Sequence, residues 1–103
     1  MKFPNSIRIY GVNYKVEFNE KVRGGEFYWR KHLIRIEKGL SNERKFTILL
    51  HEICEIIMVE NFMRFQKCLE EVERNTDYIF NFNHDQFEIF TNELSGILKQ
   101  WLI

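Results

Sequence analysis

The first forty residues alternate between apolar and polar side chains, which is typical of β-strands that bury one face. Two stretches alternate strictly, residues 6–10 and 14–18, and the three residues between them can turn, which predicts a hairpin. A Gly-Gly pair then interrupts the pattern, and residues 26–30 and 33–37 predict two more short strands around a tight turn. We therefore expect a small antiparallel sheet of three or four strands.

The apolar spacing changes to that of helices after residue 40. Ser41 can cap the free N–H groups of a helix and Glu43 complements its positive end, so we predict a helix that continues to about Phe62. Asn83 is a second candidate N-cap, and the helix that follows should reach almost to Ile103. Its apolar stripe comprises Phe87, Phe90, Leu94, Ile97, Leu98 and Trp101.

The segment between these two helices is harder to interpret. Residues 64–76 are rich in charge with apolar positions at helical spacing, which predicts a short surface helix, and residues 77–82 fit either an extended link or a short strand. We expect the aromatic side chains of residues 78–90 to lie in the core. The pattern as a whole predicts one α+β domain, residues 1–103, in which the sheet packs on the first helix and the C-terminal helix closes the other side.

Composition narrows the classes of partner and the compartment. With 45% hydrophobic residues, 103 residues can bury a core. Lys plus Arg equals Asp plus Glu, 15 against 15, so no net field attracts nucleic acid or an acidic membrane, and we expect neither as a partner. No apolar run fits a signal peptide or a membrane span, which predicts a cytoplasmic protein whose cysteines stay reduced. Cys54 is then expected to pack in the core.

The first predicted helix carries three polar side chains in an apolar run, His51, Glu52 and Glu55. Residues four apart share a helix face, so His51 and Glu55 can hold one ion, and Glu52 lies about 100° round the helix, close enough to lean over it. Burying two carboxylates without partners costs several kcal/mol, so a metal, basic residues or a hydrogen-bond network must compensate them. A divalent cation would compensate both, which predicts a buried metal site.

The motif differs from the His-Glu-x-x-His signature of zinc metallopeptidases only at its last position, Glu55. Catalytic zinc commonly takes two imidazoles and one carboxylate, and His84 is the natural candidate to complete that set. Glu88, four residues later, is an alternative ligand or an orienting partner for His84, and Asp85 can take the orienting role. Glu52 occupies the place of the base that activates water.

The chain resembles small phage and prophage proteins related to zincin-like metallopeptidases. The resemblance lies in residues 7–16 (Ile-Arg-Ile-Tyr-Gly-Val-Asn-Tyr-Lys-Val) and in residues 33–55, which end with the His-Glu-x-x-Glu motif. Residues 83–89 are more loosely similar to a family segment whose His precedes an apolar helix. The resemblance implies that one zinc ion per chain is held by His51, Glu55 and His84 and that Glu52 is the catalytic base. It also implies that the protein is located in the cytoplasm of a bacterial host cell.

The leading hypothesis is a zinc-dependent metallopeptidase that acts on a peptide or protein, with residues 33–37 as an edge strand that pairs with extended substrate. Two imidazoles with a carboxylate favour zinc, and manganese or iron stay open. One alternative is a non-catalytic domain in which a metal or a charge network with Arg or Lys joins the two halves. Another is a protein-interaction module that exposes the aromatic residues 78–90. Substrate and oligomeric state stay open.

Overall fold

The computed structural model, which describes residues 2–66 and 78–101, confirms the predicted α+β class. A four-stranded sheet packs against two helices, and a two-stranded sheet lies beside the first helix. The elements in chain order are β1 (Ser6–Ile9), β2 (Val12–Asn19), β3 (Gly25–Tyr28), β4 (Leu33–Glu37), α1 (Asn42–Glu60), β5 (Arg64–Gln66), β6 (Tyr78–Phe80) and α2 (His84–Trp101).

The larger sheet has the strand order β1-β2-β4-β3 and is mixed, so the prediction of a wholly antiparallel sheet was wrong. The pairs β1–β2 and β3–β4 are antiparallel as expected, whereas β2 and β4 are parallel. After β2 the chain forms β3 at the edge of the sheet, and β4 then fills the position between β2 and β3. The proposed role of residues 33–37 as a peptide-binding edge strand is therefore wrong, because β4 is paired on both sides. In this sheet β3 and β1 are the edges.

Strand alternation and helix spacing build one apolar core between the sheet and the helices. Alternate side chains of β1, β2 and β4 point to the same face, as the period of two requires. Apolar side chains one turn apart on α1 and α2 pack against these strand side chains. The buried side chains are Ile7, Ile9, Tyr14, Val16, Ile34, Ile36, Leu49, Ile53, Ile56, Ile57, Met63, Phe90 and Ile97.

Helix α1 ends in a Schellman motif that turns the chain back along the helix. The N–H of Met63 donates to the carbonyl of Met58 at 2.8 Å, and the N–H of Phe62 donates to that of Val59 at 3.2 Å. Phe62 has a φ of 56°, in the left-handed region that usually selects glycine at this position. The next residue, Met63, is buried in the core, so β5 starts beside α1. This brings Arg64 close to Glu55 of the helix.

Helix α2 runs antiparallel to α1 at its side. Asn83 and Gln86 exchange 2.9 Å hydrogen bonds between side chain and backbone, which confirms the predicted N-cap. The Gln86 amide Nε2 donates to the carbonyl of Asn61 (2.8 Å), just beyond the C-terminal end of α1. At the other end of α2, the Trp101 ring lies 4.8 Å from that of Phe46, near the start of α1.

The same helix is tied to the β1 edge of the sheet. The N–H of Tyr10 donates to the Glu93 carboxylate (2.8 Å), and the Gln100 amide donates to the carbonyl of Arg8 (3.2 Å). Helix α1 contacts β3 and β4 instead. The face of α1 that points to β3 is therefore on the side away from α2.

Two predictions about the chain after α1 were wrong. Residues 64–66 form strand β5 and not the start of a surface helix, while residues 67–76 lie outside the described part of the chain. The aromatics were expected in the core, yet Phe80, Phe82 and Phe87 are about half exposed and Phe90 alone of the described ones is buried. Neither of the two helices that the structure describes is long and apolar enough to cross a membrane.

Candidate functional site

The three polar side chains of the motif meet at one place on α1. Ligand atoms of His51, Glu52 and Glu55 all lie within 4.8 Å of one another. His51 Nε2 is 3.0 Å from Glu55 Oε2, a contact that the spacing of four residues on a helix creates. The structure thus brings together one imidazole and two carboxylates.

The site lies at the boundary between the core and solvent. Glu52 is 5% exposed, whereas the His51 side chain is 68% exposed and that of Glu55 is 20% exposed. The sequence predicted a buried site on a helix covered nearly all round, and this was wrong for His51. Helix α1 covers the sheet with one face only, and His51 points from the opposite side of the helix. The imidazole is open to water, whereas the Glu52 carboxyl is almost entirely shielded from it.

Burial changes the acidity of Glu52 more than any charge around it does. Removal from water raises the pKa of Glu52 from 4.5 to about 7, and the nearby Glu55 carboxylate raises it as well. His51 and Arg64 lower this pKa, but they do not cancel the effect of burial. Near neutral pH the carboxyl therefore exists in both protonation states, which suits a group that accepts and returns a proton.

Gly25 of β3 makes room for the buried carboxyl. A Cβ atom at this position would overlap Ile48 Cγ2 and lie 3.3 Å from both Cγ and Oε1 of Glu52. A side chain there would push α1 away from the strand. The glycine therefore lets the edge strand approach the carboxyl directly, a role that the sequence had marked only as a break between strands.

Arg64 belongs to this site and was missed by the sequence analysis. Its Nε is 3.8 Å from Glu55 Oε1, and its guanidinium lies over the Phe27 ring at 5.4 Å from the centroid. The sequence pattern assigned Arg64 to a surface helix, so it gave no reason to expect Arg64 beside the motif. One signal was present: two buried carboxylates need a basic partner, and Arg64 is the first cation after the motif helix.

A cleft of about 290 Å³ opens between α1, β3 and β5. Glu52, Glu55 and Arg64 form its inner side, and residues of β3 and the turn after it form the outer side: Gly25, Glu26, Phe27 and Trp29. Within the described chain β3 pairs with β4 alone, so its other edge is free next to this cleft. A buried acid, an exposed imidazole and an unpaired strand edge thus lie side by side.

His84 is not in the motif group. It is the first residue of α2 and forms a separate group with Asp85 and with Glu88 one turn later. Its Nδ1 is 3.6 Å from Glu88 Oε1, and all three residues are exposed. The histidine expected to complete the zinc ligands is therefore not brought to the motif residues. Because α2 packs between α1 and β1 while Glu52 faces β3, this arrangement gives no support to His84 as a ligand of the same ion, and that role stays a prediction.

Cys54 is half buried rather than part of the closed core. Burial, and to a smaller extent the Glu55 carboxylate, raises the pKa of its thiol, so the thiolate that binds metals is disfavoured. Cys54 is not a member of either group of potential ligands among the described residues. Cys54 packs against the core as predicted, with part of its side chain exposed.

The chain matches none of the family models, curated proteins or solved structures with which it was compared. The resemblance to zincin-like phage proteins therefore stays a prediction.

Proposed function

We propose that the chain is a zinc-dependent hydrolase of the metallopeptidase type, in which His51 and Glu55 bind the ion and Glu52 is the general base. One observation carries this proposal. Glu52 is a buried carboxyl with a pKa of about 7, and its oxygen lies within 4.8 Å of the imidazole and the carboxylate beside it. A buried acid beside a pair of metal donors is a combination that suits metal-assisted hydrolysis of a peptide bond.

The donor set fits a divalent transition metal. Imidazole nitrogen and carboxylate oxygen are both ordinary zinc ligands, and His51 Nε2 and Glu55 Oε2 already lie 3.0 Å apart. Catalytic zinc sites usually have three protein ligands, so two donors should hold the ion more weakly and let it exchange. The exposed position of His51 leaves room for water and substrate.

Zinc, when bound, would polarise the scissile carbonyl and make water more acidic. Glu52 then has one task, the transfer of protons. A carboxylate oxygen of Glu52 takes a proton from the water whose oxygen attacks the carbonyl carbon. As the C–N bond breaks, the same oxygen returns that proton to the departing amine.

Arg64 supports the proposed site through Glu55. Its guanidinium offsets the negative charge of the two carboxylates and rests on Phe27, so it is held by both α1 and β3. With Arg64 on Oε1 and His51 on Oε2, the Glu55 carboxylate is fixed between two partners. This orientation keeps Oε2 directed to the imidazole with which it would share an ion.

The proposed substrate is an extended peptide of a cytoplasmic protein in a bacterial host. Such a peptide would pair with the free edge of β3, because an unpaired strand offers a row of backbone donors and acceptors. Gly25 lies on this strand against Glu52, so a peptide paired there would place its backbone next to the proposed base.

A second candidate is a non-catalytic binding domain, which one observation favours. Glu55 already has a cationic partner in Arg64 and the His51 imidazole 3.0 Å from its Oε2, so it is compensated without any metal. In that case the half-exposed aromatics Phe80, Phe82 and Phe87 would contact a partner protein.

Zinc-dependent cleavage of a quenched fluorescent peptide library separates the two candidates. We expect the zinc-loaded wild type to cleave members of the library, and Glu52→Gln to bind zinc equally while losing cleavage by at least about 100-fold. Glu20→Gln, the same change at an exposed turn after β2 and outside both groups of potential ligands, should retain activity. Equal cleavage by wild type and Glu52→Gln would contradict the proposed role of Glu52.

A further inference from the structure

Helix α1 carries an apolar stripe on its outer side, away from the sheet. Leu50, Cys54 and Met58 follow one another at intervals of four residues and are only partly buried. Phe80 of β6 faces them, and together they line a groove of about 360 Å³, which we call the outer groove. Among the described residues, Phe80 is the one side chain outside α1 that lines it.

The outer groove is continuous with the proposed metal site. His51 and Glu55 line it as well, so a molecule bound in the groove touches the same imidazole and carboxylate that would hold zinc. The rest of its lining is apolar apart from Thr47 at one end. A ligand here would therefore have an apolar group in the groove and a polar group at His51.

We propose that the outer groove receives one large apolar side chain, leucine or phenylalanine, of the peptide that is bound at the His51–Glu55 pair. This inference rests on the proposed function, since it names the side chain that the site selects. A volume near 360 Å³ lies at the small end of ligand sites, which span about 300–1,000 Å³, and suits a side chain with a short stretch of backbone.

A second copy of the chain is a poorer occupant. Stable interfaces involve about 20–30 residues from each partner, while seven of the described residues line this groove. Two of those seven are the polar pair His51 and Glu55, which a self-complementary apolar contact would have to desolvate without compensation. A peptide backbone brings N–H donors as well as carbonyl acceptors to that pair and so avoids this cost.

Methionine methyl signals test the groove directly. Met58 lines it, whereas Met63 is fully buried in the core, so the two ¹³C-methyl resonances serve as probe and internal control. The probes are acetyl-Gly-Phe-Gly-amide, its leucine analogue and acetyl-Gly-Gly-Gly-amide, titrated into metal-free protein with a chelator present. We expect the phenylalanine and leucine peptides to shift the Met58 signal and to bind about 10- to 100-fold more tightly than the glycine peptide. The Met63 signal should stay in place.

Matched variants connect the shift to the groove. Leu50→Gln and Phe80→Gln should each remove the preference for the apolar peptides, and Phe80 is far enough from the core for that variant to fold. Ile89→Gln, the same kind of change at a half-exposed position of α2 outside the groove, should leave it unchanged. Equal affinity for all three peptides, or no movement of Met58, would overturn the proposal. Movement of Met58 with protein concentration alone would assign the groove to a second copy and would also overturn it.

The outcomes of this experiment distinguish a failure of the groove proposal from a failure of the proposed function. Peptide selection in metal-free protein without any zinc binding would support the groove and refute the metallopeptidase. Zinc-dependent cleavage that ignores the nature of the side chain would support the metallopeptidase and refute the groove.

Discussion

Gly25 of β3 faces Glu52 of α1 with no room for a side chain between them. A Cβ atom on Gly25 would be 3.3 Å from the Cγ and Oε1 atoms of Glu52, which places a buried acid against the backbone of an edge strand. The backbone of β3 shields the Glu52 carboxyl from water, and this is one reason why the pKa of Glu52 reaches about 7. The same closeness gives a peptide on β3 access to the acid.

Gly25→Ala should destabilise the protein, because the added methyl overlaps Ile48 and crowds Glu52. Overpacking of this kind costs about 1–3 kcal/mol, measurable as a lower free energy of unfolding in urea. Gly96→Ala is the matched control. Nothing lies within 4 Å of a Cβ there, and alanine on an exposed helix should add up to about 1 kcal/mol. Equal effects of the two variants would contradict the close packing at Gly25.

Glu52→Gln should stabilise metal-free protein in a pH-dependent way. The folded state raises the pKa of Glu52 from 4.5 to about 7, so it binds the proton more tightly than the unfolded chain does. The stability associated with this proton is complete below pH 4.5 and is lost as pH rises through about 7. The loss is at most about 3 kcal/mol.

A neutral glutamine has no such loss, so its advantage over wild type should be small at pH 4.5 and larger at pH 8. Urea unfolding with a chelator present measures the difference at both values. Glu88→Gln, on an exposed turn of α2, is the control and should show no comparable trend. A constant difference between Glu52→Gln and wild type at both pH values would contradict the assignment.

Arg64→Ala should raise the pKa of Glu52 further. Arg64 is one of the two groups that lower this pKa, so its removal leaves burial and Glu55 opposed by His51 alone. A ¹³C NMR titration of the labelled glutamate carboxyl groups reports the change. Arg64→Lys keeps the charge and should shift the pKa less, although it loses the planar contact with Phe27. A lower Glu52 pKa in Arg64→Ala would rule out this electrostatic role.

Phe62→Gly should stabilise the end of α1. Phe62 has a left-handed backbone with a φ of 56°, which costs a non-glycine residue roughly 1–2 kcal/mol. Its side chain is 75% exposed, so little packing is lost. We expect a gain of up to about 1 kcal/mol by thermal unfolding, reduced by the larger entropy of glycine in the unfolded chain. Phe62→Ala removes the ring but keeps the strain and should show no gain; a similar gain in both variants would point to the ring instead.

Local patterns were enough to predict most of the elements. Alternation predicted the four strands of the larger sheet, and the caps Ser41 and Asn83 predicted where both helices begin. The order of the strands was not available from the pattern, because the insertion of β4 between β2 and β3 depends on a connection that has no local signal. For the same reason the sequence named the wrong strand as an edge.

The candidate site was predicted as far as it lies on one helix. The spacing of His51, Glu52 and Glu55 fixes their proximity whatever surrounds them. Arg64 and Gly25 reach the site through the turn after α1 and through the path of β3, which are tertiary features. Helix spacing likewise says which residues share a face but not which face is covered, so the exposure of His51 was missed.

Zinc binding by protein purified without an affinity tag tests the central claim most directly. Wild type, His51→Ala and His84→Ala are dialysed against zinc, and bound metal is measured by elemental analysis. We expect about one zinc per chain in wild type, none in His51→Ala and an undiminished amount in His84→Ala, whose imidazole lies in a separate group. Loss of zinc in both histidine variants would restore the three-ligand set inferred from the sequence. No zinc in wild type, or as much zinc in His51→Ala as in wild type, would contradict the proposed metal centre.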